Sequence, residues 1–299
     1  MSLVEYLHVK VKSALNKLKK RDSWYGCLYT LNPYRGCEHA CTYCYVAAEK
    51  WRGFYHALPE EISYKVIVKE NLPSLLAEEV KRSLADVIFI GSSCDPYQPC
   101  EEKYEITRKC LEILSRSNWP IEIGTKSKLI LRDLDLLKHF KETSFCCVFM
   151  TITCLDERLS KLLEPNVPPP LERLSVIKQL SDEGVETCVC MIPVIPYVTD
   201  TYDEIRALAE KAKEFNAKYF LVGELTLPGE CRQVFYKFLE QKDPSLIPKY
   251  NELYSSDGYI RDFSYKHMIK KYKEQVCREL GLKDVVEVKY GGKRLLSFM

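Results

Sequence analysis

Between residues 26 and 225, short apolar runs alternate with stretches whose apolar positions recur every three or four residues. The runs GCLYTLN (26–32), DVIFIGSS (86–93), PIEIGTKS (120–127), CCVFMTITC (146–154), ETCVCMIPVI (186–195) and AKYFLVGEL (217–225) have strand length. Between them, residues 102–117, 129–140, 169–184 and 203–216 carry helical spacing, such as Ile106, Cys110, Ile113 and Leu114. Strand-length runs alternating with helices predict βαβ units and a parallel sheet. About six repeats predict an α/β fold, a partial (β/α)6 barrel of TIM type. We divide the chain into an N-terminal helical extension (1–22), the barrel (23–227) and a C-terminal helical extension packing on it (228–299). Residues 261–280 read as a helix ending at Gly281, followed by a strand in VVEVKY.

Composition narrows the partners. Lys and Arg number 44 against 42 Asp and Glu, a net charge of +2. That is no electrostatic footprint for nucleic acid, although it leaves room for a local basic face. No apolar run approaches the roughly 18 residues of a membrane span. The first twenty residues lack the apolar core of a secretory signal. The expected location is the cytoplasm. Fourteen cysteines are many for this length, but most sit inside apolar runs, as Cys146, Cys147, Cys188 and Cys190 do. They read as small buried hydrophobes in a reducing compartment.

In parallel α/β folds, ligands sit beyond the carboxyl ends of the strands. Those ends read Asn32 to Cys37, Ser92-Ser93-Cys94-Asp95, Thr125-Lys126-Ser127, Thr151 to Thr153, Pro193 and Gly223-Glu224, a polar rim. The first runs into Cys37-x3-Cys41-x2-Cys44. Three thiolates can bind three irons of a [4Fe-4S] cubane and leave the fourth iron open. The alternative is a zinc site completed by His39, although structural zinc usually takes paired Cys-x2-Cys units and only Cys41 and Cys44 form one.

Cys-x3-Cys-x2-Cys within NPYRGCEHACTYCY resembles the signature loop of radical S-adenosylmethionine (SAM) enzymes, and in particular the spore photoproduct lyase-like branch. CDPYQPCEEKYEITRKCLEIL, TKSKLILRDLDLL, TITCLDERLSKLLEPNVPPPLERL and PVIPYVTD extend the likeness over residues 23–225. The resemblance implies a [4Fe-4S] cluster on Cys37, Cys41 and Cys44, SAM chelated by the open iron, and reductive cleavage to a 5′-deoxyadenosyl radical that abstracts hydrogen. It implies an external electron donor of flavodoxin or ferredoxin type. It also suggests lyase or repair chemistry on nucleic acid, with RNA, a peptide or a small molecule as alternative substrates. A non-catalytic zinc or iron–sulfur protein is the competing class.

The same resemblance assigns Tyr43 and Lys126 to SAM contact, with Ser92 and Ser93 near the SAM amino group. Thr151 and Thr153 alternate on their strand, and Thr153, nearer the end, is the choice for SAM. Tyr45 either covers the cofactor or takes part in hydrogen transfer. Cys94 is either the thiol that returns hydrogen to the product radical or a small buried side chain, and Cys100 is a second candidate. Arg35 and His39 either tune the cluster sulfurs or hold the loop. Arg132 and Asp133 suit packing as well as catalysis. The basic stretch Lys17–Arg21 reads as a solvated helix face or a phosphate contact. No Walker, GxGxxG, HExxH or GxSxG motif appears.

Overall fold

The computed structural model describes residues 3–290 and 293–296. Six strands form the barrel wall: β1 (Tyr29–Leu31), β2 (Ile88–Ile90), β3 (Ile121–Thr125), β4 (Cys146–Thr151), β5 (Glu186–Val194) and β6 (Tyr219–Glu224). They are parallel and hydrogen-bonded in chain order. The return segments include the helices Leu72–Arg82, Ile106–Arg116, Leu134–Thr143, Pro170–Asp182 and Tyr202–Glu214. Among the described residues no strand pairing joins β6 back to β1, so the barrel is partial.

The strands alternate as period two requires. Ile88, Ile90, Ile121, Ile123, Val148, Met150, Val189 and Met191 belong to the core shared with the helices. Phe89, Cys147, Phe149, Cys188, Cys190 and Leu221 form a second cluster on the inner face. The strand cysteines are therefore small side chains filling a narrow interior. Glu122 lies between Ile121 and Ile123 and so faces that interior. It is fully buried, and neither carboxylate oxygen has a partner among the described residues. Burial, with Asp22 and Cys190 adding to it, pushes its pKa well above the ordinary 4.5, so the side chain is held as the neutral acid.

Residues 1–22 depart from the expected helical extension. Glu5–Val9 is a strand, parallel to Lys65–Lys69, which in turn pairs antiparallel with Tyr34–Arg35. Asn16–Lys17 pairs antiparallel with β1. The reason lies in the partner. Val66, Ile67 and Val68 are buried and β-branched, and Lys65–Lys69 offers an open ladder that Glu5–Val9 completes. The chain then crosses the open side of the barrel. Tyr25 inserts against Phe89 and Phe149, with ring centroids 4.0 and 5.4 Å away. Trp24 lies against Gly223 of β6, where a Cβ would come 3.1 Å from the indole.

The C-terminal region holds Cys231–Lys242, Leu246–Leu253 and Phe263–Leu280. The last packs on Tyr202–Glu214 and on β6 and ends at Gly281 with φ +67°, a left-handed cap that suits glycine. Glu287–Tyr290 pairs antiparallel with Lys293–Leu296. Two expected helices begin differently. The one read over 102–117 breaks at Glu105, with φ +55°, and 129–140 opens as a 3-10 turn before Leu134–Thr143.

Glu122 gives a stability prediction. The unfolded chain ionises this carboxyl from about pH 4.5 upward, whereas the folded chain keeps its proton. Its contribution is thus fully present at low pH and lost as pH rises. Glu122→Gln removes that slope. Thermal or urea unfolding should show the variant gaining on the parent by up to about 1.4 kcal/mol per pH unit as pH rises above about 4.5. Parallel curves would contradict the assignment.

Candidate active site

The carboxyl ends of all six strands open into one cavity of about 980 Å³. Asn32, Ser92, Ser93, Cys94, Asp95, Thr125, Lys126, Thr151, Pro193 and Glu224 line its rim, and Phe89, Phe149, Cys190 and Ile192 its floor. Cys37, Cys41 and Cys44 line the same cavity, half-buried and free.

The cysteine loop is held at both ends. Gly36 has φ +79°, and a Cβ there would sit 2.5 Å from the Lys65 carbonyl oxygen, so the turn into Cys37 requires glycine. The Cys37 amide donates to Ile62 O at 2.6 Å. The loop after β2 grips the next residues. Gln98 Nε2 donates to Gly36 O at 3.1 Å, and its Oε1 accepts from the Glu38 amide at 3.1 Å. Glu38 in return accepts from the Cys100 amide at 2.8 Å and from Tyr6 Oη at 3.0 Å. From the far side, Asn166 Nδ2 donates to Glu38 O at 2.7 Å and the Thr42 amide to Leu163 O at 2.9 Å.

Asp95 ties these pieces together. Its carboxylate accepts from Thr125 Oγ1 and the Lys126 amide, both at 2.7 Å, and from the Tyr97 amide at 2.9 Å. His39 Nδ1 lies 3.2 Å from it, both side chains being buried. Nδ1 makes no well-aligned hydrogen bond among the described residues, so the contact is one of charge. Burial opposes charge on His39, but Asp95 and Cys37 overcome it and push its pKa up to about 10. Burial likewise works against Asp95, and His39 brings it below its usual value. The result is a buried carboxylate–imidazolium pair beside the cysteine loop.

Burial pushes the Cys44 thiol up to about 11 and raises the Cys41 thiol as well, and the Lys126 ammonium opposes it at both. Among the described residues no three His, Cys, Asp or Glu side chains converge on a point that would hold a single metal ion. The shared exposure of Cys37, Cys41 and Cys44 to one cavity fits a cluster with one face open.

The candidate residues separate clearly. Tyr43 lines the cavity with its ring, while its hydroxyl donates to Glu164. Glu164 pairs at 2.8 Å with the buried Arg173, whose Nη1 donates to Thr151 O at 2.6 Å. Lys126 Nζ stands 5.9 Å from the Tyr43 ring. Tyr45 donates from its hydroxyl to Ser92 O and meets Trp51 edge-on at 5.4 Å. Ser92 Oγ accepts from Asn32 Nδ2 at 2.9 Å, and the Ser93 amide donates to Asn32 Oδ1 at 2.8 Å. Cys94 Sγ lies 3.9 Å from the same oxygen. Burial raises the Cys94 thiol to about 12 against the pull of Lys69, so it is S–H at neutral pH.

Two of the sequence candidates lie off the cavity. Thr153 is buried off the cavity with its hydroxyl unpartnered; β4 ends at Thr151, which faces the cavity instead. Cys100 is buried but does not line the cavity. Arg35 donates to Arg52 O at 3.4 Å, a loop contact. Arg132 and Asp133 join Glu101 and Arg108 in a network behind the loop after β2, a packing role. Sequence reasoning missed Trp24, Tyr25 and Lys69 as cavity residues. The first two lie at the start of the segment read as the barrel, just before its first strand run at residue 26. Lys69, whose Nζ donates to Asn32 O at 2.6 Å, ends a strand outside the six-repeat pattern.

Residues 31–212 match the model of the radical SAM superfamily. The chain belongs to the radical SAM superfamily. Membership implies a [4Fe-4S] cluster and SAM, and the cysteine loop described above is where this chain would hold them. An uncharacterized protein of Mycobacterium tuberculosis, Rv2578c, is 30% identical over 90% of this chain and 78% of its own length. MJ0683 of Methanocaldococcus jannaschii is 28% identical over 95% and 96%. Among solved structures, a cysteine-to-serine mutant of spore photoproduct lyase superposes with a TM-score of 0.69 at 13% identity, over 92% of this chain and 79% of the other. A double mutant of the lyase, with bound AdoMet and dinucleoside spore photoproduct, gives 0.67 at 11%, over 92% and 78%. The fold is thus that of the lyase.

The Asp95 pair is testable. Asp95→Ala strands a buried imidazolium, and losing one partner of such a pair costs about 3–5 kcal/mol. Denaturant unfolding should show that loss, and anaerobic reconstitution should load less iron per chain than the parent. Parental stability and iron content together would exclude the role.

Proposed function

We propose that the protein is a radical SAM enzyme that abstracts hydrogen from a nucleic-acid substrate and uses Cys94 to return a hydrogen atom to the product radical. When bound, the cluster and SAM supply the one-electron cleavage that yields a 5′-deoxyadenosyl radical. The chain's residues supply position. Lys126 stands where it can meet the SAM carboxylate. Ser92 and Ser93, fixed by Asn32, present carbonyl and hydroxyl oxygens toward the same space. Tyr43, tied through Glu164 and Arg173, forms a fixed wall.

The observation that carries the reading is the setting of Cys94. Of the cysteines outside the signature loop, Cys27, Cys94 and Cys190 line the cavity, and Cys94 is the one beyond a strand end. Asn32 fixes the segment that carries it, and the thiol remains protonated, as a hydrogen-atom donor must. Tyr45, bonded to Ser92 O two residues before Cys94, would refill the resulting thiyl radical from its O–H, and the tyrosyl radical left behind would take one electron from the external donor and one proton from solvent. The substrate class is supported by the lyase structure that holds a dinucleoside spore photoproduct.

Cys37→Ala should abolish 5′-deoxyadenosine release on reduction with SAM. Cys94→Ala should keep that release. In deuterated buffer with the dinucleoside spore photoproduct as probe, the parent should place deuterium in the product and Cys94→Ala should not. Normal deuterated product from Cys94→Ala would eliminate the donor role while leaving SAM cleavage intact.

A further inference from the structure

Two cations in the cavity wall have no acid beside them. Arg35 and Lys69 both line the cavity and are half-buried. Tyr34–Arg35 pairs antiparallel with Lys65–Lys69, with Arg35 opposite Ile67. Tyr34, Val66 and Val68 turn to the core, so Arg35, Ile67 and Lys69 share the other face. Arg35 and Lys69 are therefore diagonal neighbours, a relation that spans roughly 7–8 Å. Neither forms an ion pair among the described residues. Lys69 Nζ donates to Asn32 O at 2.6 Å, and Arg35 Nη1 to Arg52 O at 3.4 Å. Those contacts leave most of their N–H groups unused. Burial, with the Arg35 charge adding to it, works against the Lys69 ammonium and lowers its pKa. Lys126 differs: against burial, Cys41, Glu164 and Asp95 raise its pKa.

Both side chains are held in place. Gly53 has φ +72°, and a Cβ there would come 1.7 Å from Arg35 Nη1. The guanidinium thus occupies the space that a side chain at 53 would need. Lys69 is joined to the Cys94 segment through one residue. The Asn32 carbonyl takes the ammonium, while its side-chain oxygen holds the Ser93 amide at 2.8 Å and lies 3.9 Å from Cys94 Sγ. Two neighbouring cations, half-buried and without an acid, are stabilised by a bound oxyanion. On the reading above, Lys126 meets the SAM carboxylate. Lys69 stands by Cys94, the thiol that meets the product radical, so the anion belongs to the substrate. A guanidinium presents paired N–H groups that match phosphate, and in a nucleic acid that group is the phosphate diester.

We infer that Lys69 and Arg35 form an anion subsite for the phosphate diester that joins the two nucleosides of the substrate, and that this contact sets the base beside the Cys94 thiol. The inference rests on the nucleic-acid reading above, but binding without reductant tests it apart from radical chemistry. The probes are the spore photoproduct as a phosphate-linked thymidine dinucleotide and as the phosphate-free dinucleoside. Each is titrated calorimetrically, with SAM present, into reconstituted full-length parent and variants at matched iron content. SAM affinity is measured on the same samples.

One charge-assisted contact is worth about tenfold to a hundredfold in affinity. The parent should therefore bind the dinucleotide at least about tenfold more tightly than the dinucleoside. Lys69→Gln and Arg35→Gln should each cut that preference to about threefold or less and leave the dinucleoside affinity at the parental value. Added salt should erode the preference in the parent. If one variant fails to fold, the other carries the test. The inference is overturned if the parent shows no preference, or if the variants weaken both probes alike. It is also overturned if the variants lose SAM affinity and keep the preference, which would give the anion to SAM. A preference without turnover upholds the subsite and refutes the enzyme reading; turnover without a preference does the reverse.

Discussion

The site depends on one buried carboxylate. Asp95 lies immediately after Cys94 and holds the end of β3 through Thr125 and Lys126, its own loop through Tyr97, and the cysteine loop through His39. A carboxylate out of water is stable only when its lone pairs are filled and its charge is met. Each partner of Asp95 meets part of that demand, and each belongs to a different catalytic piece. Satisfying the carboxylate therefore fixes the distance between the cysteine loop, Lys126 and the Cys94 thiol. His39 lies two residues after Cys37, so the same charge contact holds the cysteine loop against the end of β2.

A second buried pair works from the opposite side. Arg173 and Glu164 link the end of β4 to Tyr43. Between the two pairs, the loop that carries three cysteines is pinned to β2, β3 and β4. Such pinning matters because loops lack a ladder of their own. A cluster ligand set needs its sulfurs placed before any metal arrives, and the open face must point into the cavity. The helical layer outside the strands supplies most of the hydrophobic core and leaves the inner face free for small thiols, a neutral Glu122 and the cavity.

Much of this is legible in the sequence. The alternation of apolar runs locates all six barrel strands, because a strand buried on both faces writes itself as a continuous apolar run. The cysteine spacing marks the loop that lines the cavity, because three cysteines in a polar loop stand apart from those inside apolar runs. Thr153 lies beyond the last residue of β4, because period two cannot say where a strand stops. The N-terminal segment goes astray for a deeper reason. Its strand character is supplied by Lys65–Lys69 and by β1, and pairing partners distant in the chain leave no local trace. Trp24 and Tyr25 follow it, since nothing in DSWYG says that it crosses an open barrel. His39 and Asp95 are both visible, but their contact is not: 56 positions separate them in the chain.

The claim on which the rest stands is that Cys37, Cys41 and Cys44 carry a cluster with one iron open to SAM. Electron paramagnetic resonance of the anaerobically reconstituted and reduced protein tests it directly. The account predicts a reduced-cluster signal that changes shape when SAM is added, and the loss of that signal in Cys37→Ala. A cluster signal indifferent to SAM, or a colourless protein with zinc alone at one per chain, would contradict it.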